Sequence, residues 1–385
     1  MVNYDFLSVY FYSVPNLRFS FEEDWCTSTI GENFRLSSGL TPSTKEKAYF
    51  NNGIIPWINS GELKNKYISF TENKLTLDAV KKHNLTIYPM DTMVIAIYGL
   101  EAAGVRGKAS ITKMDSTISQ SCMAFNSLGN VLTQFMYYVY KKEAQILGTR
   151  YAQGTKQQNL SSDLLSSYKL LYPSKEEQLK IVNFLSLIDE KIETQSKIID
   201  SYFSLSKAIS NTLIGQSKGN TRLRECLNCY SSNTMESVIK QEDLGDYPVY
   251  GANGIIKKIN NYEIEYPSIA IVKDGSGVGK MFKLSGKYSI LSTLNYLTSK
   301  PGYDIDYIYY ALKQKSLKKY VVGSGIPHIY FKDYEQEKIY IPQNELQQQN
   351  ITSVLQSIDE EIGNEIKQLK NYELLKKYLL KNMFV

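Results

Sequence analysis

Ile188-Asp189-Glu190-Lys191-Ile192 and Ile358-Asp359-Glu360-Glu361-Ile362 are two copies of one segment. Working outward from them at a constant offset and without a gap, Gln178 falls on Gln348 and Ile181 on Ile351. Leu185 falls on Leu355, Lys197 on Lys367, Tyr202 on Tyr372, Leu205 on Leu375 and Lys207 on Lys377. The stretch from Pro173 to Ile214 thus returns from Pro342 to Phe384. Repeats of this length decide architecture before any local propensity does. The chain reads as two unlike halves, each closed by a similar helix.

Both copies are amphipathic. Ile181, Leu185, Ile188 and Ile192 fall on alternating steps of four and three, Ile199 follows a full heptad later, and Ile351, Leu355, Ile358, Ile362 and Leu369 keep the same register. A seam of spacing 3.5 is the coiled-coil pattern, which an alternating strand cannot produce. Pro173 and Pro342 stand just ahead of the helices, where proline is tolerated. At 1.5 Å per residue, about 37 residues would make a rod of roughly 55 Å. Each helix could pack only on its own domain, but two matched seams in one chain are expected to pack on each other and act as a spacer.

The 385 residues suffice for two or three domains, and the hydrophobic fraction is ordinary. A net charge of +5 permits nucleic-acid binding without demanding it. Four cysteines (Cys26, Cys122, Cys226 and Cys229) are too few for a disulfide framework, which fits a cytoplasmic chain. The apolar N-terminal stretch has no Lys or Arg before Arg18, so it lacks the basic region of a signal peptide. No apolar run reaches 18 residues, so no membrane span is expected.

Ahead of the first helix, short apolar runs at Ile54–Ile58, Thr92–Tyr98 and Ala109–Thr112, bounded by Gly, Pro or Asn, suggest an irregular strand-rich α+β domain. Thr133–Ile146 is the expected helix. The second half runs through a similar order: Tyr247-Pro248-Val249-Tyr250 stands for Ile55-Pro56-Trp57-Ile58, and Ile269–Val272 for Val94–Ile97. Gly277-Val278-Gly279-Lys280 stands for the glycines around Arg106 and Lys108. The globular parts read as diverged copies, doing two versions of one recognition task.

Several chemistries find little support. Asp274-Gly275-Ser276-Gly277-Val278-Gly279-Lys280-Met281 resembles a phosphate loop, but Asp274 stands where Gly is needed and Met281 where Ser or Thr is needed. Cys226-Leu227-Asn228-Cys229 has metal-ligand spacing without a second pair, so no metal site is assigned. His83 and His328 each lack a triad context. The helix acids Asp189, Glu190, Asp359 and Glu360 read as a solvated or partner-facing face. No Asn-Pro-Pro-aromatic signature of an amino-methyltransferase occurs. No catalytic residue is assigned.

The ordered set Leu36-Ser37-Ser38-Gly39-Leu40-Thr41-Pro42-Ser43, Ile55-Pro56-Trp57-Ile58, Gly154-Thr155-Lys156-Gln157, Gly325-Ile326-Pro327-His328 and the two Ile-Asp-Glu helices resembles the specificity (S) subunits of type I restriction-modification systems. The resemblance implies an α+β chain in which target-recognition domains at 1–172 and 218–341 alternate with spacer helices at 173–217 and 342–385. The helices would pair as an antiparallel coiled coil with pseudo-two-fold symmetry. It further implies a non-catalytic subunit that reads a bipartite site in double-stranded DNA, one half-site per domain. Two methyltransferase subunits would dock on the helices and restriction subunits would join the complex. S-adenosylmethionine, ATP and Mg would be used by those partners, with no cofactor bound by this chain. The other reading open at this point is a coiled-coil scaffold with protein- or carbohydrate-binding domains.

For a DNA reader, affinity comes mainly from cations on phosphate and specificity from side chains at base edges. The expected phosphate contacts are Lys45, Lys47, Lys64, Lys66, Arg106, Lys108 and Lys156 in the first domain. In the second they are Lys257, Lys258, Lys273, Lys280 and Lys332. The expected base readers are Asn59, Ser60, Gln157 and Gln158, then Tyr250, Asn253, Ser276 and His328.

Overall fold

The computed structural model describes residues 15–98, 107–150, 160–239 and 245–385. They divide into two compact units. Unit 1 takes the chain up to Thr194 and again from Leu369, and unit 2 takes Gln195–Gln368. The boundary runs through both long helices rather than beside them.

Unit 1 begins with β1 (Cys26–Thr29), the single turn α1 (Ile30–Asn33) and β2 (Phe34–Ser38). Then come β3 (Ile55–Ile58), β4 (Tyr67–Ile68), β5 (Lys74–Leu75) and α2 (Leu77–Lys82). The centre is β6 (Met93–Ala96), β7 (Ala109–Thr112), β8 (Thr117–Ile118) and β9 (Cys122–Ser127). The unit closes with α3 (Thr133–Arg150), α4 (Ser162–Ser166) and β10 (Lys169–Tyr172), which hands over to the long helix α5 (Lys175–Ser210). The sheets are β2-β9-β6-β7-β4, β5-β3-β8 and the antiparallel pair β1-β10.

Unit 2 contains β11 (Thr221–Arg222), α6 (Leu223–Cys226), β12 (Leu227–Ser231), β13 (Tyr247–Gly251) and β14 (Gly254–Ile259). It continues with β15 (Ser268–Val272), β16 (Met281–Leu284), β17 (Ser289–Ile290) and β18 (Leu294–Ser299). Helices α7 (Ile305–Lys313) and α8 (Phe331–Tyr334), strand β19 (Lys338–Ile339) and the long helix α9 (Glu345–Asn382) complete the chain. Its sheets, β12-β18-β15-β16, β14-β13-β17 and β11-β19, repeat the order of unit 1. Even the direction repeats: β3 pairs parallel with β8, and β13 parallel with β17.

The central strands explain why their sequences read as unbroken apolar runs. Met93 and Ile95 point into one core with α3, while Val94 and Ala96 point into another. Ile269 and Ile271 likewise face one core, and Ala270 and Val272 the other. Side chains alternate across a strand, so a sheet covered on both faces must be apolar at every position.

The two copies of the long helix share anchoring devices. Gln178 and Gln348 are buried, and their Nε2 atoms donate to the Pro173 carbonyl at 2.9 Å and the Pro342 carbonyl at 2.8 Å. Ile181 and Leu185 sit in the core of unit 1; Ile351 and Leu355 sit in the core of unit 2. Burial of a leucine such as Leu185 contributes about 1.5–3 kcal/mol. These positions were expected to face the other helix. They do so partly, since Leu379, Met383 and Phe384 join Ile181 and Leu185 in one cluster, but the recognition domain fills the rest of their surroundings.

The helices run antiparallel. In unit 1 Lys376 meets Asp189 at 2.6 Å, and the residues beyond Lys376 pack on those before Asp189. In unit 2 the buried Gln195 donates to the Glu365 carbonyl at 3.2 Å. Further along, Ile214 shares a core with Ile351 and Leu355. Of the other seam positions, Ile199 and Ile362 are buried and Ile188, Ile192, Ile358 and Leu369 are half-buried.

Candidate nucleic-acid interface

In unit 2, three loops distant in sequence meet at the ends of β13 and β15. The first is the β13–β14 turn at Ala252-Asn253, closed by Gly254 at φ 105°. The second joins β15 to β16 through Gly275 and Gly279, at φ 91° and 83°. Val272 N donates to Lys280 O at 2.9 Å and Gly279 N to Val272 O at 2.9 Å, so the glycine run forms a hairpin turn. A phosphate loop would need a helix next, whereas Met281–Leu284 is a strand. The third loop returns through Val322 and His328, which pair with each other while His328 also pairs with Asp274. Gly275 N donates to Pro327 O at 2.8 Å, and Ile329 N to Lys273 O at 2.9 Å.

This folding brings Asn253, Lys273, Ser276, Lys280 and His328 together, as a common task requires. Lys280 Nζ donates to Asn253 Oδ1 at 3.2 Å, tying the first loop to the second. Lys332 lies over the Tyr330 ring at 5.3 Å, and that ring meets His328 at 5.0 Å. A Cβ at Gly254, Gly275 or Gly279 would meet nothing within 4 Å. These glycines are required by their positive φ, and the space above them is open to a ligand backbone. On β14, Lys258 is exposed and Lys257 half-buried. Tyr250 is one of the expected base readers. It is half-buried, edge-on to Tyr288 at 6.0 Å, and burial pushes its hydroxyl pKa up.

Unit 1 builds the equivalent place differently. Asn59 Oδ1 accepts from Gly61 N at 2.8 Å, and Ser60 N donates to Ser121 Oγ at 3.4 Å. Thr41 Oγ1 accepts from Gln120 N at 3.1 Å, so the loops after β2, β3 and β8 converge. Here Gly39 is a steric necessity, since a Cβ would lie 2.0 Å from the Ile118 carbonyl oxygen. Lys45, Lys47 and Lys64 are exposed and Lys108 is half-buried. Arg106, Lys156, Gln157 and Gln158 lie outside the described residues.

Lys66 departs from its expected role as a phosphate contact. Its ammonium donates to Tyr138 Oη at 2.7 Å and Ser186 Oγ at 2.8 Å, pairs with Asp189 at 3.6 Å, and leaves its side chain 12% exposed. Burial pushes its pKa down, and Asp189 opposes that. It is a domain-to-helix anchor. The same site exposes what the sequence reading missed: the helix acids are not simply a solvated face. Tyr138 donates to Asp189 at 2.6 Å, and Tyr310 donates to Asp359 at 3.1 Å. The available signal was the recurrence of one Asp at the same phase in both helices.

Residues 22–201 and 221–371 match the family described as the type I restriction modification DNA specificity domain. The chain belongs to this family. The MjaIX specificity subunit of Methanocaldococcus jannaschii is 32% identical over 46% of this chain and 40% of that one, so this match spans two fifths of the relative's length. A putative type I specificity subunit of Mycoplasma genitalium is 24% identical over 96% of both chains. The crystal structure of a type I S subunit from M. genitalium superposes with a TM-score of 0.66 at 19% identity, covering 97% of this chain and 99% of that one. The specificity-domain fold is therefore the fold of this chain. Among the described residues, no helix is long and apolar enough to cross a membrane, and no group of three or more His, Cys, Asp or Glu side chains could hold a metal ion.

Proposed function

We propose that this specificity-family chain reads a bipartite site in double-stranded DNA, one half-site per unit, as a non-catalytic subunit. Methyltransferase subunits, two per chain, dock on the helix pair. Restriction subunits act through the same cytoplasmic complex, and S-adenosylmethionine, ATP and Mg serve those partners. The observation that carries this reading is duplication with divergence. Both units set loops at the ends of matching strands, yet Asn59 and Ser60 stand in one where Asn253, Ser276, Lys280 and His328 stand in the other. Equal scaffolds with unequal loops are what two different half-sites require.

Affinity for duplex DNA is expected to fall linearly with the logarithm of salt concentration, as released counterions dictate. The decisive test is co-expression with the neighbouring methyltransferase in a methylation-free host, followed by mapping of modified adenines. A split motif that vanishes when this chain is omitted supports the proposal. A methyltransferase that binds the chain yet modifies no split motif would overturn it.

A further inference from the structure

Phosphate-binding loops avoid carboxylates, yet the central loop of unit 2 carries Asp274 between Lys273 and Gly275. Its backbone pairs with His328 in an antiparallel bridge. Directly opposed residues of such a bridge project from the same face with their Cβ atoms about 4.5–5.5 Å apart. Asp274 and His328 therefore emerge side by side. Among the described residues, nothing donates to the Asp274 carboxylate, and Lys280, the cation at the other end of the turn, gives its hydrogen bond to Asn253. His328 Nδ1 lies 3.2 Å from the Ile326 carbonyl, which can only accept. In the neutral ring Nδ1 then carries the hydrogen, and Nε2 is left as an acceptor.

The middle of the loop cluster thus presents a carboxylate without a donor, beside an imidazole, on a face otherwise supplied with lysines. Phosphate is itself an acceptor and an anion, so it is repelled there. Within duplex DNA, the donors facing the grooves are the exocyclic amino groups: cytosine N4 and adenine N6 in the major groove, guanine N2 in the minor groove. The major groove is the wider one and the one that distinguishes all four base pairs, so we propose that Asp274, with His328 beside it, reads the amino group of a cytosine or adenine there, in the half-site bound by unit 2. This rests on the DNA-reading proposal above and adds a specificity-determining residue to it.

The test compares methylation motifs of complexes carrying the unmodified chain, Asp274→Ala and Asp274→Asn. For Asp274→Ala, one position of one half-site should relax, losing roughly tenfold or more of its discrimination, while the other half-site stays unchanged. The relaxed position identifies the base, C·G for cytosine or A·T for adenine. Asp274→Asn keeps the shape and should shift preference toward adenine, whose N6 and N7 suit an amide. A motif unchanged at every position in Asp274→Ala would overturn the assignment. So would loss of all methylation in both variants with the chain still soluble, because a discriminating acid relaxes choice instead of supplying affinity. If the unmodified chain directs no split motif, the function proposed above fails, a result distinct from either outcome.

Discussion

Asp189 and Asp359 hold the same place in the two copies of the long helix, and each accepts from a tyrosine of its own unit, Tyr138 at 2.6 Å and Tyr310 at 3.1 Å. Their surroundings differ. Lys66 and Lys376 close around Asp189 at 3.6 and 2.6 Å, with side chains 12%, 25% and 19% exposed. Asp359 has Lys313 at 3.8 Å, with side chains 41% and 34% exposed. The duplicated helix has kept the anchor, and each unit has added its own neighbours. Water screens the second site far more than the first, so equal motifs should carry unequal energies.

Removing each acid in turn should give the largest separation. Asp189→Ala strands the Lys66 ammonium and the Tyr138 hydroxyl in a partly buried site, at a cost of about 2–4 kcal/mol. Asp359→Ala should cost less, about 1–2 kcal/mol, because the half-exposed Lys313 pair adds little and chiefly the Tyr310 hydroxyl loses its partner. Amide hydrogen exchange in α3 and α7 of the full chain reads the two units separately. Equal losses of protection in the two helices would end the distinction.

A smaller effect isolates the shared hydrogen bond. Tyr138→Phe should cost about 1.5–3 kcal/mol, because its hydroxyl faces a charge where water is scarce, and Tyr310→Phe about 0.5–1.5 kcal/mol. Double-mutant cycles with the matching Asp→Ala changes should show the larger coupling in unit 1. Greater coupling at Tyr310 would mean that exposure is the wrong measure of these sites.

The same contrast marks what could be read from the sequence. The long helices were legible because their seams and their offset persist over many turns, and the central strands because two covered faces demand unbroken apolar runs. Helix Thr133–Arg150 was placed correctly but runs past the expected Ile146, since nothing local stops it there. The role of Lys66 was not legible: its acceptor Ser186 lies 120 residues away, and only the closed fold brings them together. Nor was the unequal build of the loops. Unit 2 turns tightly through Gly251-Ala252-Asn253-Gly254. Unit 1 instead makes an excursion from Asn59 to Asn73 that adds β4 to the main sheet. Both begin after a similar strand, so local pattern alone could not separate them. Asp274 shows in the sequence only as a residue that weakens a phosphate loop, because its partner His328 lies 54 positions away and meets it only in the fold.

The smallest expected effect again separates the units, through pH. Lys141 on α3 donates to the Gly107 carbonyl at 2.8 Å, and burial pushes its ammonium down to about 8, with Lys376 acting in the same direction and Asp189 against it. Exposed lysines move the other way in both units: Lys82 rises through its bond to Tyr49 in unit 1, and in unit 2 Lys287 rises through its bond to Tyr262 and Lys319 through its bond to Glu337. An unfolded lysine keeps its proton up to about 10.4. Between about pH 8 and 10, the unfolded chain therefore binds more protons at Lys141 than the folded one, so folding stability must rise with pH there. Lys66, also depressed by burial, contributes with the same sign. The buried Tyr138 and Tyr140 hydroxyls are pushed up by burial and stay protonated in the fold, so above about pH 10 they favour unfolding. Below that, the buried Cys122 thiol, pushed up to about 11 by burial, keeps its proton in the fold and opposes Lys141 from about pH 8.5, so the net rise is smaller than Lys141 alone would give. Trp25 and Trp57 are the two tryptophans of the chain and both belong to unit 1, so urea unfolding followed by their fluorescence reports that unit. From pH 7.5 to 9.5 its stability should rise by about 1 kcal/mol, and Lys141→Met should flatten most of the rise. A rise that survives that substitution in full would assign the proton elsewhere.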